Sequence, residues 1–244
     1  SELNPNYTEA YCNLGNAFKV LGELNAAVNS FNKALELNHN SPDAHNDLAN
    51  ALWEKGEIAA AIACYNNALR IRPDYAEAHN NLGVALKEQG NLDAAVDSYH
   101  KALELKHTYP EAHYNLGNSL KEIGDTIAAI SSYKAAIEYK PNYQKAYNNL
   151  GTALRDEGDI VAAYNAYNTA LKLWPGDPES HNNLGTILKE LGDIQTAIAS
   201  YTTALKLKPN DPEICCNLGN ALKKTGDLEA AMAIYKKAVE IDPE

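Results

Sequence analysis

Apolar and small residues fall at helical spacing along the chain, in short blocks punctuated by glycine and proline. Between residues 42 and 55 they sit at His45, Leu48, Ala49 and Leu52, one face of an α-helix. Ser41-Pro42, Asp177-Pro178 and Asp211-Pro212 each place a capping residue before a proline at the first helical position. Gly56 closes its block, because glycine tolerates the left-handed conformation that ends a helix. The residue after the matching glycine in later blocks (Asn91, Asp125, Asp159, Asp193 and Asp227) suits the cap of a second helix. Those second helices end near Pro73, Pro141, Pro175, Pro209 and Pro243. The turns are short, so paired helices run antiparallel.

The blocks repeat every 34 residues without insertion or deletion. Leu-Gly stands at Leu14-Gly15, Leu82-Gly83, Leu116-Gly117, Leu150-Gly151, Leu184-Gly185 and Leu218-Gly219, with Leu48-Ala49 in the one gap. An aromatic residue follows each at a fixed distance: Phe31, Tyr65, Tyr99, Tyr133, Tyr167, Tyr201 and Tyr235. An alanine comes three residues later, from Ala34 to Ala238. This predicts repeats at 8–41, 42–75, 76–109, 110–143, 144–177, 178–211 and 212–244, with 1–7 as the tail of a preceding repeat. One helix pair cannot bury its apolar stripe alone, so the second helix of one repeat must cover the first helix of the next.

These residues resemble the tetratricopeptide repeat (TPR) family. In the third unit the match is His79-x2-Leu82-Gly83-x2-Leu86, then Ala95-x3-Tyr99, then Ala102. Histidine, tyrosine or cysteine stands in place of the family's first tryptophan, and leucine usually replaces its first tyrosine. His39 and His107 replace the closing proline. The resemblance implies an all-α fold: a right-handed superhelical α-solenoid of seven 34-residue helix-turn-helix repeats. It also implies a protein-protein interaction module with a concave groove lined by the first helices. The segments Ala10–Ala17 and Thr203–Pro209 are similar to repeats of the O-linked N-acetylglucosamine transferase superhelix.

The stripe opposite the packing face of each first helix would line that groove. Two residues before the Leu-Gly glycine stand Asn13, Asp47, Asn81, Asn115, Asn149, Asn183 and Asn217. Asn50 and Asn118 lie one residue after it. Asparagine is a poor residue for a helix interior, so this row needs a reason. Its amide can pair with both C=O and N–H of an extended peptide. Each such bond contributes roughly 0.5–1.5 kcal/mol, so one rung is too weak and a row suffices for micromolar binding. The transferase resemblance implies the same ladder. Against this stands a structural explanation, in which the asparagines bond between repeats and set their spacing.

Four residues after the glycine come Lys19, Trp53, Lys87, Lys121, Arg155, Lys189 and Lys223, beside Glu54, Glu88, Glu122, Asp156 and Glu190. They form either a solvated helix face or a charge-striped groove. Trp53 is either a binding anchor or packing against a neighbouring side chain. The family's carboxylate-clamp function is not expected, because the opening row is acidic at Glu9, Asp43, Glu77, Glu111, Glu179 and Glu213.

Composition narrows the function further. The net charge is −11, which argues against a nucleic-acid or anionic-membrane partner. No apolar run is long enough to span a bilayer. The four cysteines form no disulfide framework or metal motif, which suits a cytoplasmic setting; Cys215 and Cys216 are read as half-buried helix residues rather than a vicinal disulfide. His45, His79, His113 and His181 are a repeat apart, too far to share one ion, so packing is expected of them and no metal or cofactor. The carboxylates fall on rows expected to be exposed, where raised pKa values are not anticipated. The expected partner is therefore a protein or peptide in extended conformation. The alternatives are the substrate-recognition arm of a larger enzyme, such as a glycosyltransferase, and a self-assembling scaffold. The last helix, with Met232, Tyr235 and Val239, is expected to expose an apolar face for end-to-end self-association.

Overall fold

The computed structural model describes residues 5–242, with side chains from residue 7 onward. The expected assignments at 1–4 and 243–244 lie outside the described residues. Fourteen helices and no strand are found among the described residues. The chain divides into two compact units, Ser1–Ile123 and Gly124–Glu244.

The first unit holds α1 (Pro5–Val20), α2 (Leu24–Leu37), α3 (Pro42–Glu54), α4 (Ile58–Ile71), α5 (Ala76–Glu88), α6 (Leu92–Leu105) and α7 (Pro110–Ile123). Within it α1/α2, α3/α4 and α5/α6 pair most extensively. Each second helix also packs on the following first helix, and first helices touch one another in succession. The second unit holds α8 (Thr126–Tyr139), α9 (Gln144–Asp156), α10 (Ile160–Leu173), α11 (Pro178–Glu190), α12 (Ile194–Leu207), α13 (Pro212–Thr225) and α14 (Leu228–Ile241). It is built the same way: α8 lies on α9, and the pairs α9/α10, α11/α12 and α13/α14 stack in order. Each unit is therefore a helical-repeat stack.

Local chemistry sets the helix limits as the residue pattern suggests. Ser41, Asp177 and Asp211 accept from the backbone N–H of Ala44, Ser180 and Ile214, each with proline at the start of its helix. Asn91, Asp125, Asp159, Asp193 and Asp227 cap second helices in the same way, whereas Glu23 and Glu57 make no side-chain cap bond. At the turn Gly56 has φ +80°, with its N–H on the Trp53 carbonyl and the next N–H, of Glu57, on the Leu52 carbonyl. That reversed pair of bonds satisfies the last carbonyls of α3 and turns the chain tightly into α4.

The Leu-Gly signature has a direct packing cause. A Cβ on Gly83 would lie 2.6 Å from Cε1 of Tyr99, so the ring rests on the bare backbone of α5. Phe31, Tyr65, Tyr99, Tyr133, Tyr167 and Tyr201 are all buried. Each contributes roughly 1.5–3 kcal/mol of burial.

Candidate functional site

The 34-residue repeat and the 3.6-residue turn together determine which side chains of neighbouring first helices meet. A residue of one first helix contacts the residues 31 and 35 positions later, two sites one turn apart on the next. Asn148 shows both contacts. Its Nδ2 donates to Oε1 of Glu179 at 2.9 Å, and its Oδ1 accepts from Nδ2 of Asn183 at 3.2 Å. Asn182 does the same with Glu213 at 3.3 Å and Asn217 at 3.0 Å. In the first unit Asn115 donates to Asn80 at 3.0 Å, and Asn81 to Asn46 at 3.4 Å. Asn46, Asn80, Asn148 and Asn182, the row just before the expected ladder, are buried. A buried amide needs its bonds met; those of Asn148 and Asn182 are met by the next repeat, whereas Asn80 accepts from the next repeat and donates to Asn81 in its own.

The ladder residues themselves are half-buried at Asn81, Asn115, Asn149, Asn183 and Asn217, and exposed at Asn13. Asn115, Asn183 and Asn217 each aim one amide hydrogen at the preceding repeat. An asparagine amide has a second hydrogen and a carbonyl oxygen besides. The ladder is thus part of an inter-repeat network, and its amides are held in register by it.

Asn50 and Asn118 sit in a row with a second role. Asn50 accepts from the Tyr65 hydroxyl at 2.6 Å and from Asn81 at 3.2 Å. Asn220 accepts from Tyr235 at 2.8 Å, while Thr152 and Thr186 pair with the hydroxyls of Tyr167 and Tyr201. Asn118 is half-buried on α7. In the first repeat Phe31 has no hydroxyl, and Asn16 donates instead to Asp47 at 3.4 Å. The fixed distance of 15 residues between each polar residue and its tyrosine was the available signal.

The basic row follows the same inter-repeat geometry. Lys19 meets Glu54 at 3.7 Å and Lys87 meets Glu122 at 3.1 Å, both 35 residues on, while Arg155 pairs with Asp156. Lys121 and Lys189 are half-buried. Such partly exposed pairs contribute about 0–1 kcal/mol each. Trp53 packs against the core cluster of Phe31, Leu48, Leu52 and Tyr65, with its indole nitrogen enclosed. It is half-buried, not an aromatic standing free on the groove face.

One expectation is corrected here. Asp47, the carboxylate that takes an asparagine's place in the ladder row, is half-buried, and burial pushes its pKa upward. The hydrogen bond from Asn16 and the charge of Lys19 oppose that shift only in part. The packing assigned to the histidine row also gains a specific bond. Nε2 of His45, His79, His113 and His181 lies 2.8–3.1 Å from the carbonyls of His39, Pro73, His107 and Pro175, ahead of each first helix. Among the described residues no group of three or more His, Cys, Asp or Glu side chains converges as a metal site. Cys215 is buried and Cys216 exposed, both as free thiols. On α14, Met232 and Val239 are exposed, whereas Tyr235 is half-buried. Among the described residues no helix is long and apolar enough to cross a membrane.

Fold and surface define a helical-repeat interaction module, with an ordered polar stripe along its first helices. Family models described as TPR repeat match residues 15–56, 50–90, 85–124 and 185–226, and others described as tetratricopeptide repeat match 114–178, 166–199 and 212–244. The chain belongs to the tetratricopeptide repeat family. No curated protein matches it significantly. Among solved structures, PilF of Pseudomonas aeruginosa is similar at 24% identity and TM-score 0.78, over 86% of this chain and 95% of that one. MamA is 26% identical with TM-score 0.62, over 66% of this chain and 95% of its own. YrrB, described as a TPR protein with an unusual peptide-binding site, is 23% identical with TM-score 0.64, over 80% of this chain and 97% of that one.

Proposed function

We propose that the first-helix stripe of each unit binds an extended peptide through its backbone, with the ladder asparagines as rungs. The observation that carries this is the tethering of Asn115, Asn183 and Asn217. One amide hydrogen of each is fixed on the preceding repeat, so the rest of the amide is held without further ordering cost. Lys87, Lys121, Arg155 and Lys189 flank the rungs and would set the register of a charged partner. Asn13, Asn50, Asn81, Asn118 and Asn149 complete the proposed surface, with Trp53 as a wall packed on the core rather than a free anchor. A peptide-recognising arm of a larger enzyme, a glycosyltransferase included, would use the same stripe.

The test is selection of binding peptides from a random library, followed by N-methylation of their alternate amides. Backbone recognition predicts that N-methylation abolishes binding while most side-chain replacements are tolerated. Asn115→Ala with Asn183→Ala should weaken binding at least tenfold with helicity retained. Full binding by the N-methylated peptides would refute the reading and leave the ladder as an inter-repeat spacer.

Self-association has support of its own. Leu228, Met232 and Val239 form an exposed apolar face on α14. A mass that rises with concentration in sedimentation, and no longer does so in Met232→Lys, would carry this second reading.

A further inference from the structure

The face of the second helices carries an apolar groove between α12 and α14, away from the ladder. Ile198 and Leu205 of α12 line one side and Ile234 of α14 the other, over Leu222 of α13, with Lys206 and Lys237 at the rim. Among the described residues no carboxylate lines it, although the chain as a whole carries a net charge of −11. Lys206 and Lys237 also lack an ion-pair partner among the described residues, unlike Lys19, Lys87 and Lys208.

Ile234 is the residue that sets this groove apart. The same repeat position holds Ser30, Cys64, Ser98, Ser132, Ala166 and Ser200, all small. The serines turn back onto their own helices, bonding to the carbonyls of Ala26, Ala94, Ala128 and Thr196. They are buried, whereas the bulkier Ile234 stands half-exposed in the groove. One repeat has thus placed a large aliphatic side chain where the others keep a small residue.

We infer that this groove docks an amphipathic helix of a protein partner, one whose apolar stripe is flanked by acidic residues. The walls are themselves helices, with backbone groups bonded internally. An extended peptide would therefore bury its own N–H and C=O groups against apolar side chains without partners, at high cost. A helix satisfies its backbone internally and seats its ridges between those of α12 and α14. The two walls run over eight residues each, Ile198–Leu205 and Ala230–Lys237, about 12 Å or two helical turns. The two unpaired ammonium groups, set beside apolar surface and free of lining carboxylates, select acidic flanks.

The test uses the whole chain and two synthetic helical peptides with the same leucine stripe, one flanked by glutamates and one by lysines. Binding is read by fluorescence anisotropy and located by amide shifts of the isotope-labelled protein. The glutamate peptide should bind and shift residues of α12 and α14, and the lysine peptide should not. Ile234→Ser restores a residue that four other repeats carry and is expected to fold normally; it should weaken binding about tenfold. Lys206→Glu with Lys237→Glu should reverse the preference. Equal binding of both peptides, unchanged binding to Ile234→Ser, or shifts away from α12 and α14 would overturn the proposal. So would self-association in sedimentation that Ile234→Ser abolishes, which would make a second copy the occupant.

Discussion

The amide of Asn183 donates to Oδ1 of Asn148, thirty-five residues earlier in the chain and one first helix away. The two residues are unequal. Asn148 is 3% exposed, and besides Asn183 it serves Glu179 and the Ser180 hydroxyl. Asn183 is half-buried, one of the rungs proposed above. Asn148→Ala should therefore cost roughly 1–3 kcal/mol, since it strands several partners, and Asn183→Ala only about 0.5–1.5 kcal/mol. In a repeat stack the loss stays near the altered junction. Urea unfolding with amide hydrogen exchange should show protection falling first in α9 and α11. Equal costs for the two substitutions would mean that the buried row is not the structural one.

That relationship also marks where sequence reading stopped. Helices, caps and the aromatic row were legible because each follows from chemistry local to one repeat, as in Gly56 at its turn or Tyr99 over Gly83. The ladder was legible as a row, but its use was not. A residue list does not say that position i meets i+31 and i+35 on the next helix, so the bond from Asn183 to Asn148 left no trace beyond the repetition of asparagine. The bond from His79 ends on the carbonyl of Pro73, and backbone partners carry no residue signature. The raised pKa of Asp47 leaves no local signature, because its surroundings include Asn16 and Lys19 of α1, a separate element. Trp53 stands on a row that is otherwise basic, and its packing on a core cluster that includes Phe31 of the preceding repeat is non-local.

Tyr99 lies so close to Gly83 that a methyl group there must displace its ring. Overpacking of this kind costs roughly 1–3 kcal/mol, against about 1 kcal/mol regained when alanine replaces glycine within a helix. The second repeat tolerates the combination, with Ala49 in the glycine position and Tyr65 buried. Gly83→Ala should accordingly be mildly destabilising, and Gly83→Val, which adds two methyl groups toward the ring, strongly so. Adding Tyr99→Ala should relieve the valine variant, giving a double-mutant cost well below the sum in thermal unfolding. Additive costs would show that the ring does not set the need for glycine.

Burial raises the pKa of Asp47 above its ordinary value. The folded protein therefore holds this proton to a higher pH than the unfolded chain does. The contribution favours the fold at pH below the unfolded value and is lost as pH rises through the folded one. At neutral pH the ionised, half-buried carboxylate is a net penalty. Asp47→Asn removes it, so the variant should be more stable than the parent at pH 7, with the gap narrowing in acid. Urea midpoints across that range test this. A variant less stable at pH 7 would mean that the bond from Asn16 outweighs desolvation.

Tyrosine burial makes the opposite end of the pH scale equally informative. Burial is the first cause raising the pKa of Tyr65, Tyr75, Tyr99, Tyr109, Tyr167 and Tyr201, and Tyr109, also facing Glu77 and Glu111, is pushed up to about 12. An unfolded tyrosine ionises near pH 10. Between these values the unfolded chain has released protons that the folded chain retains, so stability falls as pH rises. Several such residues act together, and each repeat relies on its neighbours, so the loss should be cooperative. Tyrosinate absorbance and far-ultraviolet circular dichroism should be followed in one alkaline titration. The buried tyrosines should ionise only as helicity is lost, in the same pH interval. Complete ionisation with helices intact would mean that water reaches these rings, and that their packing is looser than the structure shows.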